Sequence, residues 1–264
     1  MTSLSPVQPV SPPAAYLGGK RNLARRLTAL IEATPHESYV EPFVGMGGIF
    51  LRRSRRPRAE VINDISRDVS TLFRILQRHY QAFMDMLKWQ ITSRDEFERL
   101  LPIEADSLTD LERAARFLYL QRLSFGGKVS GRGFGVDRQA PARFDVTKLG
   151  PMLEELHERL AGVKIERLPY GDLIRRYDTP QTLFYLDPPY WGCETDYGPG
   201  TFERADFERL ADQLAGISGK FILSVNATPG ARAVFERFDV TDVETTWTVS
   251  QTGAKRVTEL IVRN

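Results

Sequence analysis

The stretch SYVEPFVGMGGIFL, Ser38 to Leu51, decides how the rest of the chain is read. It opens as a short apolar strand, passes through a glycine-rich turn and enters the first turn of a helix. After a run of arginines comes AEVINDIS (59–66), a second strand ending at Asp64. Strand, glycine turn, helix and strand make the opening of a parallel sheet. Upstream, KRNLARRLTALIEA (20–33) places Leu23, Leu27, Leu30 and Ile31 on one helical face and stops before Pro35. Downstream, the αβ rhythm lapses from about residue 67 to 150, with helix following helix as far as about Leu123, and then returns. VKIERL (163–168), TLFYLD (182–187) and KFILSV (220–225) read as strands alternating with the helices YGDLIRRY (170–177) and FERLADQLA (207–215), and DVETTWTV (242–249) and TELIVR (258–263) close the chain. The unbroken apolar run Thr182 to Leu186 suits a strand covered on both faces.

The expected fold is therefore α/β, a doubly wound Rossmann-like sheet split in sequence by a mostly helical insertion. Residues 1–15, with four prolines and no periodicity, read as a disordered arm. Residues 16–66 and 151–264 form the main domain, and 67–150 the insertion. Inside it, Ser107 and Asp110 suggest a capping box for the helix LERAARFLYLQRL, the glycine-rich stretch 124–145 suits a long loop or a β-hairpin, and Pro151 suits the first turn of the next helix.

At 264 residues, 42% hydrophobic and 27% charged, the chain has the composition of a self-folding globular protein. No run reaches the roughly 18 apolar residues of a membrane span, and the start lacks the basic-then-apolar order of a signal peptide, so a cytoplasmic, membrane-free protein is expected. One cysteine, Cys193, and three scattered histidines exclude a disulfide framework and offer no metal-ligand spacing. The net charge of +2 says little, but its distribution says more. Arg52, Arg53, Arg55, Arg56 and Arg58 cluster, and Arg122, Lys128, Arg132, Arg138 and Arg143 face only Asp137 between 121 and 143. Either patch is a solvated face or a surface that follows phosphates.

The sharpest chemical signal is Asp187-Pro188-Pro189-Tyr190, at the carboxyl end of a strand, where open α/β sheets bind ligands. Two prolines hold a rigid connection without N–H groups, and the Pro188 carbonyl then lacks a strand partner. Asp187 and that carbonyl can accept the two hydrogens of an exocyclic amino group while Tyr190 stacks on the ring. A bare DPP tripeptide would more simply be a strand-ending turn; the fourth residue and the context favour the ligand reading.

The order YLGGK (16–20), EPFVGMGG (41–48), NDIS (63–66), DPPY (187–190), FILSVN (221–226) and SQTGAKRVTELIV (250–262) resembles the DNA adenine-N6 methyltransferases of the deoxyadenosine-methylase type over nearly the whole ordered chain. The resemblance implies an S-adenosylmethionine cofactor, double-stranded DNA as partner, and a bacterial or phage setting. It implies that Tyr16, Lys20, Glu41, Phe43, Gly45, Asp64, Asp172 and Asp187 surround the cofactor, that Asp187, Pro188 and Tyr190 carry catalysis, and that Lys128, Arg132 and Arg138 touch DNA. Tyr16 stands where Trp is common in the family. Asp64 would accept from the ribose hydroxyls; alone, that carboxylate would equally suit NAD, but GMGG lacks GxGxxG spacing. Asp172 serves either the cofactor's adenine or the helix LIRRY as a cap, and Glu41 is either a cofactor ligand through water or a structural anchor for the glycine loop. SFGGKVSGRGFGV departs from the pattern of GATC-specific members, so a different or relaxed recognition site is expected, on a protein acting as a monomer. Cytosine N4 as target, an RNA substrate and a non-catalytic DNA-binding protein of the same fold remain alternatives at this point.

Overall fold

The structure, a computed structural model, describes residues 4–16, 18–135, 139, 141–198, 200–247 and 255–264. Its strands are β1 (Ser5–Pro6), β2 (Ser38–Glu41), β3 (Arg55–Arg56), β4 (Ala59–Asn63), β5 (Lys164–Glu166), β6 (Thr182–Leu186), β7 (Lys220–Asn226), β8 (Asp239–Trp247) and β9 (Lys255–Arg263). Its helices are α1 (Ala24–Ala33), α2 (Arg67–Arg78), α3 (Tyr80–Leu87), α4 (Arg94–Leu100), α5 (Asp110–Leu123), α6 (Val146–Arg159), α7 (Tyr170–Tyr177), α8 (Arg204–Ala215) and α9 (Pro229–Phe235). Among the described residues, no helix is long and apolar enough to cross a membrane.

The central sheet has the order β5-β4-β2-β6-β7-β9-β8. Its first five strands run parallel, and β9 joins antiparallel to β7 and to β8. The chain builds outward from β2 through β4 to β5, then crosses back to place β6 on the other side of β2. That reversal opens a crevice at the carboxyl ends of β2 and β6.

Strand β6 shows why its apolar run is continuous. Leu183 and Tyr185 join one buried cluster with helices α1, α2, α3, α5 and α6, whereas Phe184 and Leu186 join a second with α7, α8 and α9. Successive side chains enter opposite faces, and both faces are covered by helices.

Several local expectations are corrected. The helices between 67 and 150 share an apolar cluster with the sheet residues Tyr39, Ile62 and Ile222, so they extend its core, and the boundary at 150 falls inside α6. That helix starts five residues before Pro151, because the Asp145 carboxylate caps it by accepting from the Thr147 N–H. The capping box of α5 is Thr109–Glu112, two residues beyond Ser107. Among the described residues after α5, Ser124 and Phe134 form an isolated antiparallel bridge, and Gly126, Gly127 and Gly131 take positive φ, which interrupts a ladder. The first residues described are packed: the Val7 and Val10 N–H groups donate to Ser54 and Leu51 carbonyls, and Val10 and Ala14 are buried. Proline excludes helix there but suits an extended edge segment. Arg53 is wholly buried, paired with Glu60 and stacked on the Tyr39 ring, so the arginine run is not one solvated face.

Candidate functional site

A cavity of about 1280 Å³ opens at the carboxyl ends of β2, β4, β5 and β6. It exceeds the roughly 300–1000 Å³ of ordinary small-molecule pockets, leaving room for two ligands side by side. Seven of the expected site residues line it: Tyr16, Lys20, Glu41, Phe43, Gly45, Asp64 and Asp187.

The glycine turn after β2 forms the floor. Gly45 has φ +50°, and a Cβ there would lie 2.8 Å from the Tyr16 ring, so both conformation and space demand glycine. Its N–H donates to Asp64 Oδ2 at 3.0 Å, while Asp64 Oδ1 accepts from the Ser66 N–H at 2.9 Å. Burial pushes the Asp64 carboxyl up to about 6, opposed by those two backbone bonds. Each oxygen keeps lone pairs for further donors. Phe43 forms a wall with Tyr170 and Phe202, at ring separations of 5.6 and 5.9 Å. Opposite, the Tyr16 ring lies 5.8 Å from that of Tyr197.

Asp187 follows the last residue of β6 and is held by a buried cluster. Lys20 Nζ lies 3.0 Å from Asp187 Oδ1, 2.8 Å from Glu259 Oε2 and 2.6 Å from the Tyr190 hydroxyl oxygen. The Tyr190 hydroxyl donates to Glu259 Oε1 at 2.7 Å, and Ser224 donates to Asp187 Oδ1 at 3.3 Å. Burial raises the Asp187 carboxyl to about 6, against the pull of Lys20 and with the push of Glu259. Lys20 thus anchors the acidic turn from beneath the cavity. The turn is fixed on its far side too: Asn226 accepts from the Trp191 N–H at 2.8 Å and donates to the Trp191 carbonyl at 3.0 Å. Pro188 is buried beyond the last β6–β7 ladder pair, Leu186 and Leu223.

Glu41 ends β2 fully enclosed, accepting from the Tyr39 hydroxyl at 2.6 Å, and burial raises its carboxyl to about 8. Near neutrality it is protonated, a neutral donor at the cavity edge. Asp172 is not in the cavity: it sits in the first turn of α7, half exposed and paired with Arg175, where an acidic side chain complements the helix dipole. Leu168 and Tyr170 line that wall instead. Tyr190 lies behind the lining, 8% exposed with its hydroxyl tethered, while Pro189 faces the cavity. Of the expected DNA contacts, Lys128 is exposed, but Arg132 folds inward, donating to Gln121 Oε1 at 3.0 Å and to the Lys128 carbonyl at 3.2 Å. Arg138 lies outside the described residues. Among the described residues, no group of three or more His, Cys, Asp or Glu side chains gathers as a metal site.

Sequence reading missed Glu259, Ser224, Tyr197 and Phe202. Glu259 meets Lys20 across 239 positions, through a β9–β7 pairing that no local pattern announces.

A reversed parallel sheet, a glycine floor and a carboxylate ending the second parallel strand define an α/β enzyme with a nucleoside-type site and a second, acidic subsite beside it. Residues 16–249 match the model of the D12 class N6 adenine-specific DNA methyltransferases, and the chain belongs to that family. It is 25% identical over 269 residues to the type II methyltransferase M1.LlaDCHI of Lactococcus lactis subsp. cremoris, covering 94% of this chain and 93% of the relative. It is 26% identical to a DNA adenine methylase of Vibrio cholerae (91% and 90% covered) and 25% identical to that of Escherichia coli K12 (85% and 85%). The protein is an adenine-specific DNA methyltransferase, acting at N6 with a methyl donor.

Proposed function

We propose that the methyl donor is S-adenosylmethionine and that the substrate is double-stranded DNA from which the target adenine is flipped into the cavity. The observation that carries this reading is the placement of Asp187: one oxygen is fixed by Lys20 and Ser224, and the residue faces the same cavity as the glycine floor and Asp64. The residues fit the donor. Asp64 would accept from the ribose hydroxyls, Gly45 allows close backbone approach, and Tyr16 and Phe43 offer faces for the base and the methionine portion. Two carboxylates on the lining of one cavity, Asp64 and Asp187, suit a cationic ligand. When bound, the cofactor supplies an electrophilic methyl on its sulfonium.

The adenine amino lone pair is delocalised into the ring and is a weak nucleophile. Asp187 and the Pro188 carbonyl would accept the two amino hydrogens, favouring the pyramidal geometry in which the lone pair points at the methyl. Inside a duplex that approach is blocked, so the base must leave the stack. Tyr190, uncovered as the base enters, would stack on it while its hydroxyl stays anchored. No covalent enzyme intermediate is needed, and Cys193 is dispensable. Lys128 would follow phosphates, and the departure at 124–136 from the GATC pattern implies another or a relaxed target sequence, read by a monomer.

Calorimetry with S-adenosylmethionine alone tests the cofactor half. One site per chain is expected, with Asp64→Ala weakening it at least about tenfold. The absence of binding heat across temperatures, or equal affinity in the variant, would overturn it.

A further inference from the structure

The buried cluster beneath the acidic turn contains one cation and two carboxylates, and only one carboxylate faces substrate. Glu259 lies on β9, two strands from Asp187, 2% exposed and not among the cavity-lining residues. Its two oxygens take one Lys20 hydrogen and the Tyr190 hydroxyl hydrogen. The three Lys20 hydrogens have partners at Glu259, Tyr190 and Asp187, so the buried ammonium cannot swing without breaking a bond. An isolated Lys–Asp pair would be free to close on itself, with Lys20 competing with the substrate amino group for Asp187.

We infer that Glu259 is a positioning residue for methyl transfer: by sharing the Lys20 charge and fixing Tyr190, it holds Asp187 in place and keeps its carboxylate available to the adenine amino group. This rests on the proposed role of Asp187. Buried mixed-charge clusters of this kind seldom add net stability over apolar packing. That makes a functional reason for retaining a third charge the stronger account.

The groups facing Asp187 are Lys20 before α1, Glu41 on β2, Tyr185 on β6, Tyr190 and Tyr197 after β6, Ser224 on β7 and Glu259 on β9. Glu259 is a negative neighbour that raises the Asp187 carboxyl, so neutralising it should lower that group's titration.

The test is steady-state methyl transfer to duplex DNA by the full chain carrying Glu259→Gln, which keeps shape and one acceptor. The expected result is a kcat lower by about tenfold or more, KM for DNA and donor within about threefold, and an acid limb of kcat moved to lower pH. Glu259→Asp, which keeps the charge, should return the acid limb to its wild-type position and part of kcat. A Glu259→Gln protein with wild-type kcat and pH profile overturns the inference, as does a loss that Glu259→Asp reproduces in full without any shift between the two profiles. If Glu259→Gln does not fold, Glu259→Asp decides alone: wild-type kcat overturns the inference and a lowered kcat with unchanged KM supports it. Failure of the wild type to bind donor or label adenine would instead refute the proposed function.

Discussion

Glu41 closes β2 with its carboxyl enclosed beside the Tyr39 hydroxyl, and burial raises it to about 8. Its folded-state titration lies above that of the unfolded chain, so the stability it contributes is complete below about pH 4.5 and is lost as pH rises through about 8. Glu41→Gln should therefore gain thermal stability relative to wild type as pH rises from near 5 to above 8. An equal difference at both ends would contradict that burial. Asp187 predicts a kinetic counterpart. Burial raises its carboxyl to about 6 in the free enzyme, and only the ionised form accepts from two sides, so kcat/KM should fall about tenfold per pH unit below that value and level above it. A pH profile flat down to about 4.5 would place the acid elsewhere. Asp64 and Asp187 were legible because each ends an apolar strand. Glu259 and Ser224 were not, since each acquires its role only when β7 and β9 pair.

At the scale of elements, the sheet strands were legible because runs such as TLFYL and KFILSV carry their own burial pattern. Helix starts were less so, because Ser107 and Thr109 both precede acidic residues, and which one caps depends on where packing places the first turn. Thr109→Ala should cost about 1 kcal/mol in chemical denaturation and Ser107→Ala only a few tenths; the reverse order would restore the sequence-based cap. The amino-terminal segment is the larger surprise. Prolines signal the absence of helix, not the absence of order, and here they lead an extended segment along β3 that buries Val10. Val10→Ala should lower stability by about 1–2 kcal/mol; no change would return this segment to the disordered arm expected from composition.

For the whole molecule, the order of motifs carried the family, and the proposed DNA face was the least legible part, because glycines and isolated basic residues between 124 and 143 carry no burial pattern. Lys128→Ala should reduce the salt dependence of DNA binding by about one unit of slope. Arg132, bonded to Gln121 and the Lys128 carbonyl, should affect the local fold before the slope. Equal slope changes in the two variants would show that Arg132 is released to phosphate. If residues 124–136 read the target site as proposed, long-read sequencing of DNA modified in cells should show methylated adenines beyond GATC; strict GATC modification would contradict that. Whether the acidic turn after β6 grips the amino group of an extruded adenine is tested by incubation with labelled donor and duplex DNA, followed by digestion to nucleosides. The wild type should place the label in N6-methyldeoxyadenosine, and Asp187→Ala should lose at least about a hundredfold in rate while still binding DNA. Label in N4-methyldeoxycytidine, or near-normal transfer by Asp187→Ala, would contradict it.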